Sequence, residues 1–244
     1  MRCSHRNPNL AQVPSDERFR RLFIPTPGMV MVGADLSGIE LRLLAHYLAR
    51  YDGGKYADIL LNGDIHAENA KKIGISRREV KTVTYAFLYG AGDKKIGTSF
   101  DGSLGEDQAK RKGKEIRKAY VDAIEGLSDF LTAVKRAAER GYVRGLDGRY
   151  IRVDKGHKAA NYLIQGSAAI LAKRWMIFAD DILDNHTHQL AFIHDELQYE
   201  TTPEYANDLK FLLEFTATQA GEYYKLRIPI AAESKSGNNW SEVH

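Results

Sequence analysis

The sequence contains little cysteine and proline and no long apolar run. Cys3 is the only cysteine among 244 residues, which excludes an internal disulfide and a cysteine-rich zinc site and fits a reducing compartment. No apolar run of about 18 residues and no signal-peptide pattern occurs, so neither a membrane-spanning segment nor export is predicted. Four of the six prolines lie within residues 1–28, which predicts extended or looped backbone there.

Neither sign of charge is in large excess. The formal net charge is only +3 and the pI is about 8.8, so any contact with nucleic acid must depend on local clusters of basic residues. Such clusters occur at 94–95 and 110–118. A hydrophobic content of 43% suffices for a substantial core and predicts one globular unit or one domain with a large insertion.

Residues 76–90, SRREVKTVTYAFLYG, predict a short helix with a signal at each end. Ser76 followed three residues later by Glu79 is a capping-box pattern, and Gly90 supplies a left-handed stop. The residues that would face the core recur at helical spacing, and they are Val80, Val83, Thr84 and Phe87.

A second stripe along the same helix consists of Arg77, Lys81, Tyr85 and Tyr89. Arginine and lysine suit phosphate oxygens, and tyrosine rings offer flat faces to a base or sugar, so we interpret the stripe as a grip for a nucleoside triphosphate. The alternative is a solvated basic face with two half-buried tyrosines. His66 could contact the same triphosphate, although a lone histidine is more often structural.

Acidic residues follow or interrupt two apolar segments. The strand-like run 29–34 ends in Asp35 and precedes an amphipathic helical pattern, and Asp195 stands between two strand-like arms within 190–200. Both acids are therefore candidates for chemistry at strand ends. Three alternatives stay open: Asp35 could cap the following helix, Glu40 could be a surface residue, and residues 194–196 could form an exposed hairpin tip.

The remaining pattern is mostly helical. One or two charged amphipathic helices are predicted over 106–140, and the longest helix over 157–185. Asp147-Gly148 predicts a hairpin turn, and a last helix is predicted from Thr202 to about Tyr224. Within the longest helix, Asn161 and Gln165 lie one turn apart, where their amides could bind base acceptors in a minor groove or a neighbouring helix.

Six ordered stretches together resemble the palm and fingers of family A DNA polymerases. They are NPNLAQVP at 7–14, DLSGIELR at 35–42, RREVKTVTYAFLYG at 77–90, DGR at 147–149, NYLIQGSAA at 161–169 and IHDE at 193–196. The second, third and sixth resemble the family's motifs A, B and C, and GNNW near the end favours the phage replicative branch.

This resemblance implies an α+β polymerase right-hand fold. An antiparallel palm sheet would carry an inserted helical fingers subdomain, and neither a thumb nor an exonuclease domain would be present. The implied boundaries are palm over 1–65 and 141–244 and fingers over 66–140.

The resemblance also implies template-directed DNA synthesis by two-metal-ion nucleotidyl transfer. Two Mg²⁺ ions would be held by Asp35, Asp195 and the Leu36 carbonyl. The dNTP would be bound by His66, Arg77, Lys81, Tyr85, Tyr89 and Glu40. Within that set, Lys81 would also donate a proton to the leaving group, the Glu40–Tyr89 pair would exclude a 2′-hydroxyl, and Tyr85 would allow dideoxynucleotides.

The implied partners are dNTPs and a primer-template duplex, with no membrane. The duplex would be contacted by Arg2, Asn161, Gln165, His194 and Glu196. Because the match begins inside a Thr-Gly-Arg element at Arg2, we expect a separate N-terminal polypeptide to supply thumb and exonuclease; a truncated or partial reading frame is the alternative. A non-catalytic DNA-binding remnant is another. A phage origin would place the protein in the host-cell cytoplasm.

Overall fold

The computed structural model describes residues 2–244. Its α-helices are α1 (Glu17–Arg20), α2 (Ile39–Asp52), α3 (Lys55–Asn62), α4 (Ile65–Ile73), α5 (Arg77–Leu88), α6 (Asp93–Phe100), α7 (Glu106–Ala123), α8 (Leu127–Ala138), α9 (Ala159–Asp180) and α10 (Ala206–Tyr223). Its strands are β1 (Val30–Leu36), β2 (Tyr142–Arg144), β3 (Tyr150–Arg152), β4 (His188–Ile193), β5 (Glu196–Thr201) and β6 (Ala232–Gly237). Within these residues no helix is long and apolar enough to cross a bilayer.

The chain forms two compact units. The first comprises residues up to 39 and from 166 onward, and the second comprises residues 40–165. These bounds differ from the predicted palm and fingers boundaries at 66 and 140, because α2, α3 and the β2–β3 hairpin belong to the same compact unit as α5. The assignment of the names palm and fingers stays a prediction.

The first unit is built on a four-stranded sheet in the order β4-β5-β1-β6, with every neighbouring pair antiparallel. β1 is a central strand whose two faces are both covered, which explains why its sequence is almost uniformly apolar. β6 is a polar edge strand without alternation of apolar residues, and for that reason the sequence did not predict it. The hairpin predicted around Asp195 is confirmed as β4–β5.

Side chains of β1 alternate between two buried layers. Val32 is fully buried, and α10 packs against β1 and β6. Met31, on the other face, packs with Trp240 and Val243 of the C-terminal segment. Both tryptophans of the chain lie in this unit, and the indole N–H of Trp175 donates to the Leu213 carbonyl of α10 at 2.8 Å.

The second unit is predominantly helical, with the small β2–β3 hairpin predicted from Asp147-Gly148. Two charged helices, α7 and α8, occupy the predicted range 106–140. In the first unit, the last helix begins at Ala206 and not at residues 202–204, because Thr202 and Tyr205 form a hydrogen-bonded turn before it.

Helices α6 and α7 cross closely through two glycines. A Cβ at Gly113 would lie 1.8 Å from the Asp93 carbonyl oxygen, and one at Gly97 would lie 1.8 Å from the Ala109 carbonyl oxygen. Both neighbouring atoms are backbone, so a methyl group could enter only if the helices moved apart. The close crossing therefore requires glycine at both positions.

Gly113→Ala is expected to lower the free energy of unfolding by about 1–3 kcal/mol through overpacking. This loss should appear although alanine is the better helix former by roughly 1 kcal/mol. Urea denaturation followed by far-UV circular dichroism measures it. Gly102→Ala is the control, because no atom lies within 4 Å of a Cβ there; equal stability of the two variants would contradict the close crossing.

Candidate active site

Two acidic residues from distant segments meet at one end of the sheet in the first unit. Asp35 is paired with Glu196 in the β1–β5 register, and the Leu36 N–H donates to the Asp195 carbonyl oxygen at 3.0 Å. Asp35 is exposed and Asp195 is half-buried. The two predicted acids therefore lie on neighbouring strands within one register position of each other.

The donors at this sheet end suit a hard cation. Carboxylate and carbonyl oxygens are the ligands that Mg²⁺ prefers, and two carboxylates leave coordination positions for water and phosphate. Across residues 2–244, no group of three or more His, Cys, Asp or Glu side chains is arranged to hold a metal. Asp35, Asp195 and the Leu36 carbonyl offer oxygen ligands of the kind that Mg²⁺ prefers, and their binding of Mg²⁺ stays a prediction.

The turn that carries Asp195 is backbone-strained. His194 is the first of its two turn residues and has a φ of 61°, a conformation that costs a non-glycine residue on the order of 1 kcal/mol. Neighbouring β4 and β5 hold the turn in this form. Residues 194–195 are half-buried, so the alternative of an exposed hairpin tip is wrong.

Glu196 is buried in a hydrogen-bonded cluster. Its Oε1 accepts from the Trp240 indole N–H at 2.7 Å and from the Gln198 amide at 2.6 Å, and its Oε2 lies 3.2 Å from His244 Nδ1. Sequence patterns gave no signal for these partners, since they lie in the C-terminal segment and on the same strand. The predicted contact of Glu196 with DNA stays a prediction.

Helix α5 in the second unit has the two predicted end signals. Ser76 Oγ accepts from the Glu79 N–H, the Glu79 carboxylate accepts from the Ser76 N–H at 2.7 Å, and Gly90 has a φ of 71°. The predicted apolar face is buried. Arg77 and Lys81 are exposed on the opposite side, with Tyr85 half-buried.

The Tyr89 hydroxyl donates to Glu40 Oε1 at 3.0 Å. Glu40 is only 5% exposed, so the alternative of a surface residue is wrong, whereas Tyr89 is 49% exposed. The rings of Tyr85 and Tyr89 are stacked at 6.3 Å. A buried carboxylate, a phenol and a second ring thus form one wall beside the basic half of α5.

Arg77 and His66 meet around Asp64, which the sequence reasoning missed. Asp64 caps α4, and its Oδ2 accepts from Arg77 Nε at 2.5 Å. His66 is buried, and its Nδ1 has no hydrogen-bond partner among residues 2–244. Asp before an apolar helical pattern is an N-cap signal, which could have drawn attention to Asp64.

The charges of this cluster act on one another. Burial lowers the pKa of the His66 imidazole, Asp64 raises it, and the positive charges of Arg77 and Lys81 lower it further. The pKa of Asp64 is lowered first by the backbone N–H of Ala67 and then by Arg77. At neutral pH the cluster therefore combines a neutral imidazole, a carboxylate and two cations.

The paired amides of α9 contact the C-terminal end of α5. Asn161 Nδ2 donates to the carbonyls of Phe87 and Leu88, the latter at 2.9 Å, and Gln165 Nε2 donates to Leu88 at 3.3 Å. The alternative of bonding to a neighbouring helix is thus observed for the amide nitrogens. Arg2 is half-buried in the N-terminal segment, and its contact with DNA, like that of Gln165, stays a prediction.

Comparison with known proteins identifies the family of the chain. The family model "DNA polymerase family A" matches residues 1–242, and the chain belongs to this family. DNA-directed DNA polymerases of Enterobacteria phage T3 and Escherichia phage T7 are 33% and 32% identical to it over its whole length. A solved structure titled "POL domain of Pol1 from M. smegmatis complex with DNA primer-template and dNTP" matches 99% of the chain with a TM-score of 0.81 and 26% identity.

These matches confirm the predicted fold class, a mixture of helices and an antiparallel sheet as in a family A polymerase domain. The predicted similarity to phage replicative polymerases is confirmed as well. The chain spans 39% of the length of the T3 and T7 relatives and 46% of the M. smegmatis chain.

Proposed function

We propose that this chain catalyses template-directed addition of deoxynucleotides to a primer 3′-hydroxyl. The observation that carries the proposal is the meeting of Asp35 and Asp195 on neighbouring strands, in a chain of the DNA polymerase family. Asp35, Asp195 and the Leu36 carbonyl would hold Mg²⁺ in the first unit. Bound Mg²⁺ would supply Lewis-acid stabilisation of the attacking and leaving oxygens.

The basic half of α5 would bind the triphosphate tail. Arg77 presents a planar guanidinium and Lys81 a point charge, both exposed on one helix face. The neutral His66 imidazole would donate one N–H to a phosphate oxygen. Lys81, whose ammonium is mobile on a flexible stem, would give its proton to the departing pyrophosphate.

The wall of Glu40, Tyr85 and Tyr89 would select the sugar. The hydrogen bond from the Tyr89 hydroxyl would hold the Glu40 carboxylate in place. The carboxylate would then exclude a 2′-hydroxyl. Arg2, Asn161, Gln165, His194 and Glu196 would contact the primer-template duplex. Minor-groove acceptors occur in every base pair, so those contacts would not read sequence.

A Tyr85→Phe variant is expected to discriminate more strongly against dideoxynucleotides than the parent chain does. The phenol oxygen of Tyr85 would replace part of the polar contact that a 3′-hydroxyl normally provides. Phenylalanine lacks only that oxygen. The measurement is the ratio of kcat/KM for ddNTP and dNTP in single-nucleotide extension. An unchanged ratio would contradict this role for Tyr85. Tyr47→Phe serves as the control for loss of a phenol elsewhere in the second unit.

Single-nucleotide extension of a primed template with Mg²⁺ tests the activity itself. A chain that binds the duplex but never extends the primer would be a DNA-binding remnant. The affinity for the duplex should also fall steeply with salt, because phosphate contacts release counterions.

We also propose that the chain works with a polypeptide that supplies thumb and exonuclease. The relatives extend well beyond the matched part, and β4 is an edge strand of the sheet described above, the position at which a strand of another chain can pair. Residues 1–244 should be expressed alone and with the product of the adjacent upstream reading frame. Processive extension by a monodisperse 1–244, without gain from the neighbour, would refute the partnership.

A further inference from the structure

The two carboxylate oxygens of Asp64 have different tasks. Oδ1 accepts from the backbone N–H groups of His66 and Ala67, both at 3.0 Å, and thereby caps α4. Oδ2 accepts from Arg77 Nε on α5 at 2.5 Å. The capping bonds fix the carboxylate, so the guanidinium is attached to a rigid support.

The contact uses only one edge of the Arg77 guanidinium. Neither Nη1 nor Nη2 donates a hydrogen bond to any residue from 2 to 244. Because the guanidinium is planar and rigid, a bond at Nε sets the direction of the two terminal nitrogens. The outer fork of Arg77 is thus oriented while its four N–H groups stay available to an anion.

Folding stability does not account for this ion pair. The side chains of Arg77 and Asp64 are 58% and 43% exposed, and exposed pairs add little to stability. Beside them lies the buried His66 nitrogen without a partner. These features are those of a phosphate-binding cluster that is organised before its ligand arrives.

We propose that Asp64 is a positioning residue that holds Arg77 ready for the triphosphate tail of the incoming nucleotide. The proposal rests on the proposed function, since it takes Arg77 as a triphosphate ligand. Orienting one long side chain in advance removes an ordering cost from binding, which corresponds to about 3- to 10-fold in affinity. The negative charge of Asp64 acts in the opposite direction, because it repels phosphate whether or not Arg77 is present.

The two effects separate in a double-mutant cycle. Asp64→Asn retains the acceptor oxygen for capping, since Asn is as good an N-cap as Asp, but loses the acceptor for Arg77 Nε. The loss of repulsion is the same in the parent and in Arg77→Ala, whereas the loss of orientation affects only the parent. Glu68→Gln is the matched control, because Glu68 is a carboxylate on the same helix that pairs with Lys71 and not with Arg77.

The experiment measures the Kd of inorganic tripolyphosphate for residues 1–244 by calorimetry. The factor by which Asp64→Asn raises Kd in the parent is divided by the same factor in Arg77→Ala. We expect a quotient of about 3 to 10 for Asp64→Asn and about 1 for Glu68→Gln. Single-nucleotide extension should show the same quotient in the KM for dNTP, with kcat unchanged.

A quotient at or below 1 for Asp64→Asn overturns the proposal, as does a parent chain that binds no tripolyphosphate. A quotient below 1 would make Asp64 a competitor that the triphosphate displaces. Failure of the proposed function appears separately: the parent would then fail to extend primers, whatever the quotient. Melting temperatures of the variants, expected to match the parent, check that the α4 cap is intact.

Discussion

Asp195→Ala is expected to abolish primer extension, with a loss of at least about 10³-fold in kcat, while affinity for primer-template stays within about 3-fold of the parent. Removing one of the two carboxylates proposed to bind Mg²⁺ removes half of the side-chain charge that would hold the ion. Stabilisation of the transferring phosphoryl group by bound metal amounts to several kcal/mol, and each 1.36 kcal/mol is roughly tenfold in rate. Single-turnover extension and fluorescence anisotropy of labelled duplex measure the two quantities.

Three further variants sharpen this prediction. Asp195→Asn keeps the shape of the side chain and should fail as fully as alanine, because charge is the property required. Asp35→Ala should match both. Glu204→Ala, an exposed carboxylate in the turn before α10, should retain the parent rate. If Asp195→Ala lost duplex binding and turnover in equal measure, Asp195 would be a structural acid of the strained turn and not a metal ligand.

Glu40→Ala is expected to raise the ratio of kcat/KM for rNTP over dNTP on the order of 100-fold. The Glu40 carboxylate is buried and accepts from the Tyr89 hydroxyl, so it would occupy the space that a 2′-hydroxyl needs. Truncation to alanine opens that space. The measurement is single-nucleotide extension with matched ribo- and deoxynucleotides.

An isosteric variant of Glu40 shows whether the volume or the charge of the side chain excludes the 2′-hydroxyl. Glu40→Gln fills the same space and should keep most of the discrimination against ribonucleotides. Tyr89→Phe removes the hydroxyl that holds Glu40 and should produce a smaller rise than Glu40→Ala. If Glu40→Ala leaves the rNTP to dNTP ratio unchanged, sugar selection must depend on other residues.

Local signals in the sequence predicted α5 well. Its capping box, its glycine stop and its two stripes are properties of neighbouring residues, so they do not depend on how the rest of the chain folds. The same holds for the hairpins at Asp147-Gly148 and around Asp195. Each depends on a turn and its immediate arms.

Features that depend on contacts between residues far apart in the sequence could not be predicted from local patterns. Nothing near Asp35 encodes its register with Glu196, which results from the order of four strands drawn from both ends of the chain. β6 has a polar edge-strand sequence, and Glu196 looks like a turn acid until Trp240 is seen to donate to it. The Asp64–Arg77 pair joins two helices, so only their packing places the two side chains together.

The positions of the two tryptophans allow the fluorescence of the two units to be measured separately. Trp175 and Trp240 are both buried in the first unit, and each indole N–H is hydrogen-bonded, to the Leu213 carbonyl and to Glu196 respectively. Residues 40–165 contain tyrosines but no tryptophan. Emission excited at the red edge of the indole band therefore reports on the first unit, which carries Asp35 and Asp195, whereas α5 can be followed only through tyrosine fluorescence.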